Sequence, residues 1–114
     1  MKRSIKSAQR HMRQICVTVS ADGTTVTGPD QLAVSVTDTG TGDKLITFDK
    51  AFAQVPCVVC SAGTADAIAI KGTVAAGSVQ ILSYDATDGT SAKDAIVDVI
   101  ICGVDVDENY SDDA

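Results

Sequence analysis

The sequence predicts an all-β protein, a single antiparallel β-sandwich of jelly-roll-like character with about seven or eight strands and an extended N-terminal arm. Three observations carry this. The large residues are scarce, with no Trp, two Phe and two Tyr, so the core falls to Val, Ile, Leu and Ala; the β-branched ones are stiff at χ1 and pack well on a pleated surface. Apolar residues alternate with polar ones at period two in several short runs. Turn signals separate these runs at close spacing, and no helical periodicity is present. A chain of 114 residues makes one domain and buries a core without disulfides or metal.

The elements follow in order. Residues 1–13 are polar and basic and read as an arm. Strand alternation begins at Ile15, with Ile15, Val17 and Val19 against Cys16, Thr18 and Ser20. Ala21-Asp22-Gly23 turns the chain, Thr24 to Thr27 is a short strand, and Gly28-Pro29-Asp30 turns it again. Leu32, Val34 and Val36 alternate with Ala33, Ser35 and Thr37, the clearest half-buried strand. The tight connection from Asp38 to Asp43 leads into Lys44 to Phe48, which predicts a hairpin. After Pro56, Cys57 to Ala62 is apolar at both parities, which predicts a central strand covered on both faces. Ala67 to Val74, Val79 to Tyr84 and Ala95 to Val104 complete the set, with a polar loop over residues 85–93. The expected core comprises Val34, Val36, Ile46, Phe48, Val59, Ile70, Ile81, Val97, Val99 and Ile101. The domain map is then an arm over 1–13, a sandwich over 14–104 and an acidic tail over 105–114.

Charge is divided unevenly. Lys2, Arg3, Lys6, Arg10 and Arg13 give residues 1–13 a charge of +5, whereas the remainder holds the other four bases and all fifteen acids, a balance of −11. That layout suits contact between copies or with a partner, and these five cations are the expected partner-binding residues. A solvated tail and a strap laid across a neighbouring subunit are both consistent with charge alone. The acidic body would repel a phosphate backbone, so nucleic acid is not an expected partner. No apolar run approaches the roughly 18 residues of a membrane span, so no membrane is expected either. The basic start lacks the apolar segment of a secretory signal. These features predict synthesis and retention in a cytoplasm, where thiols stay reduced.

Candidate chemical sites are few. Cys57 and Cys60 have the C-x-x-C spacing of a zinc or redox site, but two valines separate them in a predicted strand. Residues three apart on a strand point to opposite faces, and Cys16 and Cys102 supply no second paired spacing, so small core residues in the reduced form are expected, with no metal. His11 is the only histidine and lies in the arm, a poor place for a base that catalysis must hold rigidly. Asp98 stands inside an apolar strand, which implies either an exposed face or a basic neighbour such as Lys71. Gly40-Thr41-Gly42 lacks the lysine and helix of a phosphate loop and reads as a turn. Asp38, Asp43, Asp85 and Asp88 do not follow the alternating oxygen ligands of a calcium loop. No cofactor and no enzymatic activity are expected.

Residues 36–59, VTDTGTGDKLITFDKAFAQVPCVV, resemble the pattern V-T-x-T-G-T-G-D-x-x-I-T-F-x-x-x-F-A-x-x-P-x-V-V of small β-sandwich proteins in tailed-phage virions, and the runs SVQILSYD and AIVDVIICG continue it. The resemblance covers residues 32–104. It implies a bacteriophage structural protein, a capsid decoration or cement protein located in the virion, with the major capsid protein and copies of itself, as a homotrimer, for partners. Phe48, Phe52 and Pro56 also resemble the F-x-x-x-F-x-x-x-P core of H-type lectin domains, which implies as an alternative a tail-associated, carbohydrate-binding receptor module. This chain departs from those lectins in lacking Trp and in carrying a basic arm.

Overall fold

The computed structural model describes residues 12–105. Eight strands form two four-stranded sheets packed face to face: β1 (Met12–Val19), β2 (Val26–Thr27), β3 (Val34–Gly40), β4 (Asp43–Phe48), β5 (Cys57–Ala62), β6 (Ala67–Val74), β7 (Ser78–Asp85) and β8 (Val97–Val104). One sheet has the order β2-β1-β8-β5 and the other β3-β4-β7-β6, and every pairing is antiparallel. The expected β-sandwich is therefore the fold. Hairpins β1–β2, β3–β4 and β6–β7 stay within a sheet, and the other connections cross between sheets.

Alternation works as the sequence implies. Ile15, Val17 and Val19 from β1 meet Val97, Val99 and Ile101 from β8, and Ile46, Phe48, Val79 and Ile81 face them from the other sheet. Lys44 shares this inward parity and is 1% exposed; its apolar stem lies between the sheets and its Nζ donates to the Ala95 carbonyl at 3.1 Å.

Four expectations are corrected. Strand β1 starts at Met12, so Met12 and Arg13 belong to the sandwich rather than the arm, and Asp105, which bridges to Phe52, belongs to it rather than the tail. Leu32 lies in a 3₁₀ turn, Gln31–Ala33, and is 88% exposed, because the preceding Gly28-Pro29-Asp30 turn delays pairing until Val34. Strand β5 is an edge strand, not a central one; its apolar residues at both parities left the inward face undecided, and pairing with β8 turns Val58 and Cys60 inward and leaves Val59 66% exposed. Ile70 is also exposed, since β6 turns its small residues Ala67 and Ala69 toward the core and Ile68 and Ile70 outward. A bulge between Lys71 and Val74 then restores an apolar residue, Val74, to the inner side.

The predicted β3–β4 hairpin is present, with Gly40 paired to Asp43. Gly42 has φ +66°, and a Cβ there would overlap the Ser83 carbonyl oxygen and stand 3.0 Å from the Lys93 nitrogen. Gly42→Ala therefore combines left-handed backbone strain with a clash against main chain that cannot yield. We expect a loss of about 2–4 kcal/mol in urea unfolding, whereas Gly89→Ala, which has open space around it, bears only the conformational cost of its positive φ.

Candidate interaction surfaces

Three features distinguish the surface. The first is the corner where β1 begins and β8 ends. Met12 pairs with Val104, so the start of β1 lies beside the end of β8. Arg13 organises this corner. Its guanidinium carbon lies 4.1 Å from the centroid of the Phe52 ring, its Nη2 donates to the Lys50 carbonyl at 2.6 Å, and it forms ion pairs with Asp105 at 3.5 Å and Asp49 at 3.8 Å. Lys50 adds a longer pair to Asp105 at 3.9 Å. Phe52 meets Phe48 edge-to-face, ring centroids 5.1 Å apart. Gly103 makes the fit possible: a Cβ there would stand 2.8 Å from Phe52 Cδ1 and 2.9 Å from Pro56 Cβ. The repeated four-residue spacing of Phe48, Phe52 and Pro56 thus builds one packed corner, with both aromatic rings buried.

Of the predicted partner-binding residues, Arg13 is held in this corner. Lys2, Arg3, Lys6 and Arg10 lie outside the described residues, as does His11. The partners of Arg13, namely Asp49, Lys50, Phe52 and Asp105, were not associated with it from sequence, because only the turn after β4 and the end of β8 bring them to β1.

The second feature is the outer face of the β3-β4-β7-β6 sheet. Ile68 is paired with Tyr84 and Ile70 with Leu82, and all four side chains point away from the core, giving an apolar strip along an edge strand. The opposite edge strand, β3, is polar over Thr37-Asp38-Thr39. An apolar strip exposed beside a sheet edge is a candidate surface for association.

The third is the outer face of the other sheet. Cys57 and Cys60 fall on opposite faces of β5, as expected from their spacing: Cys57 is exposed and Cys60 packs against the core. Burial raises the Cys60 thiol pKa, opposed in part by the nearby Lys71 charge. The expectation that all four cysteines serve as core residues does not hold, since Cys57 and Cys102 are exposed on the outer face.

The acids are largely committed to turns. Asp88 accepts from the Ser91 hydroxyl and from the Ser91 and Thr90 amides, and these bonds, the Ser91 hydroxyl foremost, hold its carboxyl at about 2. Asp85 accepts from Thr87 through both amide and hydroxyl and its pKa is lowered likewise. Asp94 accepts from the Gly42 amide at 2.8 Å. Asp98 lies on the exposed face, where it accepts from the Thr18 hydroxyl at 2.7 Å; Lys71 lies on the other sheet. Among the described residues no group of three or more His, Cys, Asp or Glu is placed to hold a metal ion, and no helix is long and apolar enough to cross a membrane.

This geometry defines an antiparallel β-sandwich with a charged, aromatic-clamped corner and an apolar edge. Comparison with protein-family models, curated proteins and solved structures finds no match.

Proposed function

We propose that this chain is a structural protein of a tailed-phage virion, a decoration or cement protein made in the host cytoplasm. It binds the major capsid protein through its basic N-terminal segment and meets copies of itself, as a homotrimer, through the Ile68–Ile70 strip. The observation that carries the reading is the Arg13 corner. It anchors the root of the basic segment firmly to the sandwich, so that force on the segment is transmitted to a folded body. The resemblance of residues 32–104 to virion sandwiches supports the same reading. A protein of this kind needs no catalytic group, only surfaces.

The carbohydrate-binding alternative draws on Phe48, Phe52 and Pro56. Their rings and pyrrolidine are occupied in packing the corner rather than offering a stacking surface to a sugar, which favours the virion reading. Co-sedimentation of the purified protein with undecorated shells of a tailed-phage major capsid protein tests the proposal. Saturable binding that weakens as salt rises is expected; no binding to shells, together with binding to immobilised glycans, would establish the alternative.

The self-contact has its own measurement. Equilibrium sedimentation at micromolar concentration is expected to give a trimer, and the double substitution I68K/I70K a monomer, because two cations would be buried against an apolar partner. A monomeric natural protein at that concentration removes the preformed trimer.

A further inference from the structure

The antiparallel pairing of β5 with β8 sets Cys57 directly opposite Cys102. Both side chains are exposed on the outer face, and no spacing along the chain would have associated them, since they lie in strands separated by two other strands. Directly opposed residues in an antiparallel pair have Cα atoms about 4.5–5.5 Å apart, within the range a disulfide requires of about 4.4–6.8 Å. Their Cβ atoms, about 4.5–5.5 Å apart in such pairs, are at or slightly beyond the usual disulfide separation of about 3.5–4.5 Å. A bond here forms with some strain, and strained, exposed disulfides are readily reduced again. Their surroundings on this face are Val59, Ile100, Gln14 and Cys16. Cys16 stands opposite Ile100, which puts it on a diagonal to Cys102 at about 7–8 Å, too far for a disulfide without backbone movement.

We infer that Cys57 and Cys102 form a reversible dithiol–disulfide clasp that ties the edge strand β5 to β8. The oxidant is a small-molecule disulfide of the glutathione class. The thiolate of one cysteine attacks the disulfide and releases one small thiol, leaving a mixed disulfide on the protein. The second cysteine attacks the protein sulfur of that mixed disulfide and releases the second small thiol. Two protein thiols have then lost two electrons and two protons, and one small-molecule disulfide has become two thiols. Strand β5 forms a ladder on one side only, with β8, so the clasp reinforces the one pairing that keeps this edge in the sheet. It closes a long loop, which restricts the unfolded chain.

Incubation of the full-length protein with oxidised glutathione, followed by non-reducing peptide mapping, tests this. The expected product is a chain about 2 Da lighter with no covalent link to another chain and one internal link joining Cys57 to Cys102. Its thermal midpoint should lie at least about 5 °C above that of the reduced form and return on treatment with dithiothreitol. C16S should form the same link, and C57S and C102S should each stop at a single mixed disulfide. A natural protein that also stops at mixed disulfides, links Cys102 to Cys16, or links Cys57 between molecules overturns the proposal, as does a linked protein no more stable than the reduced one.

Discussion

Replacing Phe52 with alanine lowers the stability of the sandwich by about 3–5 kcal/mol, the ordinary cost of truncating a buried aromatic residue. The effect belongs at the upper end of that range for three reasons. Phe52 is 3% exposed, so the cavity lies within packed surroundings. Its ring is the surface on which the Arg13 guanidinium rests and against which Phe48 packs. The absence of a side chain at Gly103 leaves room for that ring and Pro56, so the surroundings are shaped to the ring. A small domain has only about 5–15 kcal/mol of stability in all, so the substitution removes a large share of it. Urea unfolding of the variant measures this directly, with Phe52→Leu as a companion expected to retain more than half of the loss. A change below about 1 kcal/mol for Phe52→Ala would mean that the corner is not part of the cooperative core.

Two truncations differing by two residues should behave differently. A chain beginning at Met12 keeps β1 whole and should unfold at nearly the natural midpoint, while its binding to undecorated shells should fall by at least about tenfold, because Lys2, Arg3, Lys6 and Arg10 act together through several weak contacts. A chain beginning at Gln14 also loses Arg13, with its cation–π contact, its hydrogen bond to Lys50 and its pairs with Asp49 and Asp105. That loss should cost a further 1–3 kcal/mol or about that, lowering the midpoint by roughly 4–8 °C for each kcal/mol. Circular dichroism melting and co-sedimentation with shells check the two effects separately. Full shell binding by the chain from Met12 would assign attachment to the sandwich surface. Equal melting of both truncations would remove Arg13 from the stability of the corner.

The difference between these truncations shows how far the sequence reaches. Residues 1–13 carry five cations and no apolar period, and from sequence Arg13 looks like the rest of them. Only the fold brings Phe52 beneath it. Charge density is a property of a segment, whereas the use of one charge depends on neighbours far away along the chain.

Period-two alternation made most of the strands, the β3–β4 hairpin and most of the core legible from the chain alone, because that period survives wherever one parity is apolar and the other polar. Val34, Ile46, Phe48, Ile81, Val97, Val99 and Ile101 were legible on that ground, and all are buried. The division of Cys57 from Cys60 was legible for the same reason. Where both parities are apolar, as in Cys57 to Ala62, or where small residues take the inner side, as in Ala67 and Ala69, the pattern does not say which face is which. The tertiary structure decided it: pairing with β8 and β7 set the register, and register at period two fixes every side chain on its strand at once. Strand order is likewise absent from local pattern. It placed β5 and β6 at edges, exposed Val59 and Ile70, and set Cys57 opposite Cys102, because contacts between distant segments depend on how whole sheets bury their apolar faces and not on the residues of either segment alone.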